Sequence, residues 1–457
     1  MPGTGPAELT DAARLVDASR PGSSAIHLIP APQSVLVVDG SRLFALDEDT
    51  FDRLSLAETT GEPLINELLS ELDLVGQPSG CEEVPVRPPL RAISLAIAQK
   101  CNLGCTYCYA KQGDFGGPPK NMSAEVALRS VDLLFEDAQP GSRVNLAFLG
   151  GEPLLNRSVL RQATEHAAAR AKACQVQANF SITTNGTLLS EEDGEFFEKH
   201  GFAVTLSLDG PQKTHDALRP FKGGVGTYDT IIRNVRPLLA RQKRMQISAR
   251  VTVTAGNLSL FDTLSEFIAL GFHSVGFSPV LNAPDGANEM TSEHLKTMLA
   301  EMVQCGYEFE RRLLKGERYP FSNIVNGLRE LHRGTHRPYP CGAGAGYLGI
   351  SADGNLSACH RFVEEPRGAM GNLVTGIDRV GQASWLAERH VHNQEPCSQC
   401  WARYLCGGGC HHEVLKKGRA ACDYIRGWLH YCMEAYIRLS AQAPEWFGLD
   451  LDTQQRL

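Results

Sequence analysis

Three cysteines fall within eight residues in Cys101-Asn-Leu-Gly-Cys105-Thr-Tyr-Cys108, spaced C-x3-C-x2-C. A loop of this kind can wrap three thiolates around one corner of a cubane iron–sulfur cluster. Such a cluster has four irons, and cysteine commonly holds all of them. Three local thiolates leave one iron unclaimed, and an open coordination position separates a reactive metal site from a closed structural one. A zinc knuckle or three buried free thiols would use the same residues, so the octet alone leaves these readings open.

The other cysteines bear on that choice. Of 14 in the chain, eleven fall in two groups, 101–108 and 341–432; Cys81, Cys174 and Cys305 stand alone and read as ordinary core or surface residues. The distal group begins with Cys341, then Gly354 and, after four more residues, Cys359. It continues as Cys397-x2-Cys400-x5-Cys406-x3-Cys410 and ends with Cys422 and Cys432. Asp353-Gly354, between Tyr347–Ile350 and Leu356, is a hairpin signal that would bring Cys341 and Cys359 together. Zinc held by four thiolates, or by three and an imidazole of His411 or His412, remains an alternative for this array.

These residues need elements to position them. From Arg91 onward, apolar runs at 92–98, 143–149, 178–184, 203–208, 246–254 and 274–279 alternate with helical patterns at 123–137, 157–172, 191–200, 228–242 and 259–270. Six strands alternating with helices predict an α/β fold with a parallel sheet and right-handed crossovers. Parallel α/β folds build sites at the carboxyl ends of their strands. The first strand feeds the cysteine loop. The second is followed by Gly150-Gly151-Glu152-Pro153, in which two glycines allow close backbone approach. The third leads to Thr183-Thr184-Asn185-Gly186 and the fourth to Ser207-Leu208-Asp209-Gly210. The fifth carries Arg250, a partner for a carboxylate. Arg219 reads equally as a loop-ordering ion pair or a substrate contact. Asp114–Pro119 reads as a Gly/Pro connection or as part of a pocket wall.

Taken together, the cysteine spacing with Tyr107 before the third thiol, Gly-Gly-Glu-Pro one βα unit later, and the distal cysteines resemble radical S-adenosylmethionine (radical SAM) enzymes with a SPASM extension. The resemblance covers about residues 90–435. It implies an open, partial (β/α)6 barrel and a C-terminal cysteine-rich SPASM domain. It also implies S-adenosyl-L-methionine chelated by the open iron, and three [4Fe–4S] clusters, one binding that cofactor and two auxiliary. Cys101, Cys105 and Cys108 would hold the first cluster. Tyr107, Gly150, Gly151, Glu152, Asn185, Ser207, Asp209 and Arg250 would surround the cofactor, Glu152 with nearby carbonyls receiving its ammonium group. By family order, Cys341, Cys359 and Cys410 ligate one auxiliary cluster, and Cys397, Cys400 and Cys406 the other. Cys422 goes to the second and Cys432 to the first, with the opposite pairing open.

The stretch Cys-Tyr-Ala…Gly-Asp-Phe-Gly-Gly-Pro-Pro…Leu-Gly-Gly-Glu-Pro-Leu-Leu-Asn is similar to peptide cross-linking maturases, including the thioether-forming maturases of quinohemoprotein amine dehydrogenase and the cyclophane synthases. The implied activity is an oxidative cross-link, thioether or carbon–carbon, installed in a ribosomally made peptide or protein. The 5′-deoxyadenosyl radical would start it by hydrogen abstraction. Sulfatase maturases carry an acting-base Asp directly after the Cys of the Gly-x4-Cys element, where this chain has His360. A formylglycine-type or small-molecule radical SAM dehydrogenase stays as an alternative, as does a non-catalytic zinc or iron–sulfur interaction protein.

Composition bounds the partners. The chain of 457 residues is 42% hydrophobic with a net charge of −8 and no dense Lys/Arg run, which argues against nucleic acid or an anionic membrane as main partner. No run of 18 apolar residues and no secretory signal pattern occur, so a cytoplasmic protein is expected, reduced by an external donor of flavodoxin or ferredoxin type. Four segments are expected. Residues 1–88 form a leader, a small winged-helix-like α+β domain and a Pro-rich linker (Gln77–Pro89). The partial barrel spans 89–290, a helical bridge 291–335, and the cysteine-rich domain 336–457. In the first, Asp39-Gly40 between Ser34–Val38 and Leu43–Leu46 predicts a hairpin, with helical pattern at Thr50–Leu56 and Pro63–Leu74. Such a unit either captures a precursor leader on a strand edge or caps the barrel.

Overall fold

The computed structural model describes residues 14–18, 22–75, 83–284, 286 and 288–448. Cys81, most of the expected leader and part of the Pro-rich linker lie outside these residues. An antiparallel sheet comes first, β1 (Ile26–Pro30), β2 (Gln33–Val37) and β3 (Arg42–Ala45), in that order. The Asp39-Gly40 turn joins β2 to β3 as its sequence predicts, while β1, which ends on Pro30, is absent from the sequence reading. Helices Glu48–Thr60 and Glu62–Glu71 pack on this sheet around a core of their own that includes Ile26, Val35, Val37, Leu54, Ile65 and Leu69. His27 of β1 stacks on Trp401 with ring centroids 3.8 Å apart, and its Nε2 pairs with His430 Nδ1 at 2.8 Å. The small sheet is thus tied to the C-terminal region.

The six expected strands form next, each within a residue or two of its predicted ends: β4 (Ala92–Gln99), β6 (Arg143–Gly150), β7 (Gln177–Thr184), β8 (Ala203–Ser207), β9 (Gln246–Val253) and β10 (Ser274–Pro279). A two-residue strand, β5 (Lys120–Asn121), pairs antiparallel with the end of β4. The six are parallel and lie in the order β10-β9-β8-β7-β6-β4. β4 is buried along nearly its whole length, as its unbroken apolar run demands of a strand covered on both faces. Each of Ile93, Leu95 and Ile97, all fully buried, contributes about 1.5–3 kcal/mol by leaving water.

The barrel does not close on itself. β10 and β4 stand at opposite ends of the six, and β11 (Tyr347–Ile350) adds to the free side of β4 in parallel register, Tyr347 opposite Ala92. β12 (Asn355–Ser357), β13 (Ala369–Asn372) and β14 (Gly376–Ile377) follow antiparallel, making one 11-stranded sheet with β5 off its path. The first cysteine-bearing hairpin is therefore hydrogen-bonded to the barrel sheet. Helices Ser292–Leu313 and Ser322–His332 occupy the expected bridge, with Leu295, Met298, Leu299, Met302 and Val303 buried as a packing stripe.

Candidate active site and cluster-binding thiols

The cysteine loop leaves the end of β4 and is strapped by the segment that follows β8. Gly104 N–H donates to the Pro220 carbonyl at 2.9 Å, Thr106 N–H to Leu218 at 3.1 Å, and Lys222 N–H to Asn102 at 3.2 Å. All three thiols line one cavity of about 510 Å³, together with Gly150, Gly151, Thr184, Asn185 and Ser207 at strand ends and Arg250 within β9. Cys101 Sγ accepts from Leu103 N–H at 3.4 Å and from Asn185 Nδ2 at 3.7 Å. Burial raises the Cys101 thiol and pushes Cys105 up to about 12, against the lowering pull of Arg219. Both would release a proton on binding metal.

Gly150 and Gly151 stand in close approach to the end of β4 and the start of the cysteine loop. A Cβ on Gly150 (φ +148°) would collide with the Ala98 carbonyl, and one on Gly151 with the Lys100 carbonyl. Glu152 is fully buried and lines no part of the cavity. Its carboxylate accepts from Thr184 Oγ1 at 2.8 Å, Asn185 N–H at 2.8 Å and Leu154 N–H at 3.0 Å, which fixes the β7 end. Asp209 is likewise committed. It accepts from Arg219 Nε at 2.7 Å, Thr252 N–H at 2.9 Å and the Tyr107 hydroxyl. Arg219 Nη1 also reaches Cys105 Sγ at 3.8 Å, and the guanidinium lies over the Tyr107 ring at 5.2 Å. The ion pair foreseen for Arg219 is present, with Asp209, and the same guanidinium reaches the cysteine loop at Cys105. Arg250 lines the cavity and donates to Ser278 Oγ at 2.7 Å.

Several cavity residues escaped the sequence reading. Gly113 stands against the first thiol, where an added Cβ would meet Cys101 Cβ at 2.7 Å. Tyr109, directly after Cys108, has the Arg361 guanidinium over its face at 5.0 Å and the His360 ring at its edge. The Asp114–Pro119 stretch adds nothing to the lining, which stops at Gln112 and Gly113. His360 does line it; its Nδ1 pairs with the Tyr347 hydroxyl at 2.9 Å, which donates on to Ser94 Oγ at 2.7 Å. Burial, with Arg361 and Arg250 nearby, pushes this imidazole down to about 3.

The distal thiols sort into two groups. The β11–β12 hairpin brings Cys341 and Cys359 near Cys410; burial raises both the Cys341 and the Cys359 thiol, and neighbouring Cys410 adds to each. Cys397, Cys400, Cys406 and Cys422 line a second cavity of about 300 Å³. Cys410, Arg250, Arg361 and Glu413 line both cavities, so the two abut. Cys432 joins neither group. It is fully buried, and its Sγ packs so near Gly327 that an added Cβ there would sit 2.7 Å away. Helix Cys422–Gln442 explains the separation: ten residues at 1.5 Å each carry Cys432 about 15 Å along the axis from Cys422.

The donor sets fit iron–sulfur clusters. Three thiols on one strapped loop would leave a cubane one open iron beside free cavity, and Cys397, Cys400, Cys406 and Cys422 line the second cavity beside the shared Cys410. Arg361 Nε, Arg426 Nε and Glu413 Oε2 are buried in the walls with no hydrogen-bond partner among the described residues. Among the described residues, no three His, Cys, Asp or Glu side chains converge as ligands of a single metal ion.

Residues 95–256 match the family described as the radical SAM superfamily. A serine-type anaerobic sulfatase-maturating enzyme of Klebsiella aerogenes is 26% identical over 353 residues, covering 74% of this chain and 84% of that one. The structure titled "Native anSMEcpe with bound AdoMet" superposes with a TM-score of 0.65 at 20% identity, over 77% of this chain and all of that one. Streptococcus suis SuiB bound to precursor peptide SuiA gives 0.52 at 13% identity, over 86% of this chain and 96% of that one. At these identities the two structures establish a shared fold.

Proposed function

With a radical SAM domain at residues 95–256 as the premise, we propose that this radical SAM enzyme installs an oxidative cross-link, thioether or carbon–carbon, in a ribosomally made peptide or protein. One observation carries the reading: a single cavity of about 510 Å³ is lined by Cys101, Cys105 and Cys108 and also by Cys410, His360 and Arg361. A substrate carbon held there lies between the site that starts a radical and a thiol set that can take up an electron. S-adenosyl-L-methionine on the first cluster would supply the 5′-deoxyadenosyl radical.

This chain's residues bind and orient. Gly150 and Gly151 let the β6 end press on the cysteine loop, Asn185 reaches the Cys101 thiol, and Arg219 with Asp209 clamps Cys105 and Tyr107. Ser207 at the end of β8 and Arg250 within β9 line the cavity with polar atoms for a ribose and a carboxylate. Cys341, Cys359 and Cys410 would hold one auxiliary cluster. Cys397, Cys400, Cys406 and Cys422 would hold the other, and Cys432 serves the core. The small β1–β3 sheet offers β3 as an edge strand for a precursor leader, in keeping with SuiB, which was crystallised with its precursor peptide.

Formylglycine formation is the second reading, favoured by the match to a sulfatase-maturating enzyme over 84% of its length. His360 at the position of that family's base argues against it.

Coexpression with short reading frames beside the gene, followed by mass spectrometry, tests the proposal. A product lacking two hydrogens per site, resistant to fragmentation inside a ring and unreactive to hydrazide probes supports it. A hydrazide-reactive product shifts the assignment to formylglycine.

A further inference from the structure

The segment Trp401-Ala-Arg-Tyr-Leu405 joins Cys400 to Cys406, and Ala402 and Arg403 line the same cavity as those thiols. Its side chains reach the small N-terminal sheet. Trp401, 1% exposed, lies flat on His27 of β1, the two ring planes 7° apart. Arg403 is buried; its Nη1 donates to the Ser24 carbonyl at 2.7 Å, just before β1. Its Nη2 pairs with Asp39, in the turn between β2 and β3, at 3.0 Å. The same Nη1 donates back to the Cys400 carbonyl at 3.3 Å. The Tyr404 ring lies 3.6 Å from that of His336, whose Nδ1 pairs with Ser41 Oγ at 3.0 Å.

The opposite side of this loop is held by Arg337, whose N–H donates to the Tyr404 carbonyl and whose Nη2 donates to the Leu405 carbonyl, each at 3.2 Å. The sheet is itself a fixed support. Ile26, Val35 and Val37 pack on its own helices, while Ile29 and Leu36 join the main core. A short loop that must present two thiols to one cluster tolerates little displacement, and groups that orient metal ligands are commonly worth 10–100-fold in affinity. One rigid guanidinium joins Ser24 and Asp39 to the Cys400 backbone, so a shift of the sheet is a shift of the loop. Such coupling is reciprocal: whatever the docked sheet adds to cluster affinity, the bound cluster adds to docking.

We propose that the β1–β3 sheet is the template on which the four-thiol site is set, with Trp401 and Arg403 as positioning residues. Cluster binding and sheet docking then stabilise each other across this contact. The inference rests on reading Cys397, Cys400, Cys406 and Cys422 as a cluster site, and is independent of the reaction the enzyme performs.

The test uses the full chain after anaerobic reconstitution. The iron of the four-thiol set is the portion missing in Cys422→Ala, whose substitution lies outside the loop and the sheet. Arg403→Gln should release that portion to a chelator about tenfold faster than wild type, with Asp39→Asn acting in the same sense. Iron held by Cys101, Cys105 and Cys108 should leave at the wild-type rate. His27→Ala should speed release and His27→Phe, which restores a ring against Trp401, should reverse it. In the reverse direction, amides of β1 and β2 should exchange about tenfold faster in Cys422→Ala than in the reconstituted wild type. Melting curves show which variants are folded, and Asp39→Asn, at a carboxylate 62% exposed, carries the comparison where a buried replacement is not. Wild-type iron release in folded Arg403→Gln and Asp39→Asn, equal loss from every cluster, or unchanged exchange in Cys422→Ala overturns the inference. Equal iron in wild type and Cys422→Ala strikes the cluster reading itself, and the inference with it.

Discussion

Arg219 Nη1 donates to the Cys105 thiol at 3.8 Å while Nε closes on Asp209 at 2.7 Å. One buried guanidinium therefore ties the end of the fourth barrel strand to the loop that carries the first three thiols. Arg219→Gln should lower 5′-deoxyadenosine formation about 10–100-fold, the usual cost of losing a group that orients a metal ligand. Arg219→Lys cannot reproduce the fork and should recover little of it. Iron bound by the distal cysteines should be unaffected, which iron analysis of the same preparations checks.

Gly151 touches the cysteine loop so closely that Gly151→Ala must displace the Lys100 carbonyl. The loop then shifts by a fraction of an ångström or more, and a 1 Å misplacement costs about 100-fold in rate. The variant should keep its melting temperature within a few degrees yet lose most cofactor cleavage. Wild-type turnover in a folded Gly151→Ala protein would show that the contact is dispensable.

Cys422 and Cys432 lie on one helix and should separate cleanly. Cys422→Ala should lose about four irons per chain after anaerobic reconstitution. Cys432→Ala should keep its full iron and lose only stability, about 1–2 kcal/mol as for an ordinary buried truncation. Equal iron loss in both would return Cys432 to the ligand set.

The sequence spoke most clearly where one physical constraint acts alone. β4 announces itself because burial on both faces demands an unbroken apolar run, β6 to β9 because buried apolar residues alternate with less buried ones, and the Asp353-Gly354 hairpin because few residues suit its turn. Cys432 was indistinguishable from Cys422 by spacing, since only the helix rise and the packing against Gly327 separate them. Glu152 and Asp209 were legible as site residues but not as braces, because a carboxylate's partners depend on strands far apart in the chain. Gly113, Tyr109 and Arg361 gave no signal beyond nearness to cysteines.

His27 should make the docking of the small sheet sensitive to acid. Burial, then the neighbouring His430, holds its pKa well below the usual value. The groups facing the pair are the Trp401 ring, Glu434 beside His430 Nε2 at 3.4 Å, and Arg14 on Glu434 at 3.1 Å. The unfolded chain protonates His27 as pH falls through about 6.5, while the folded chain resists. Stability is thus full above that pH and declines below it. Thermal melts at pH 7.5 and 5.5 should show a larger drop for wild type than for His27→Phe, which keeps the stack without the proton site. Equal drops would remove His27 from the account.

The central claim, that a radical begun at Cys101–Cys108 ends in a cross-linked peptide, is tested most directly by counting products in one reaction. Reconstituted enzyme, reductant, S-adenosyl-L-methionine and a modified-when-coexpressed peptide should give one 5′-deoxyadenosine per two hydrogens lost, with tandem mass spectrometry placing both losses in a closed ring. Cofactor cleavage paired with a linear, hydrazide-reactive product, or with no change in the peptide, would contradict it.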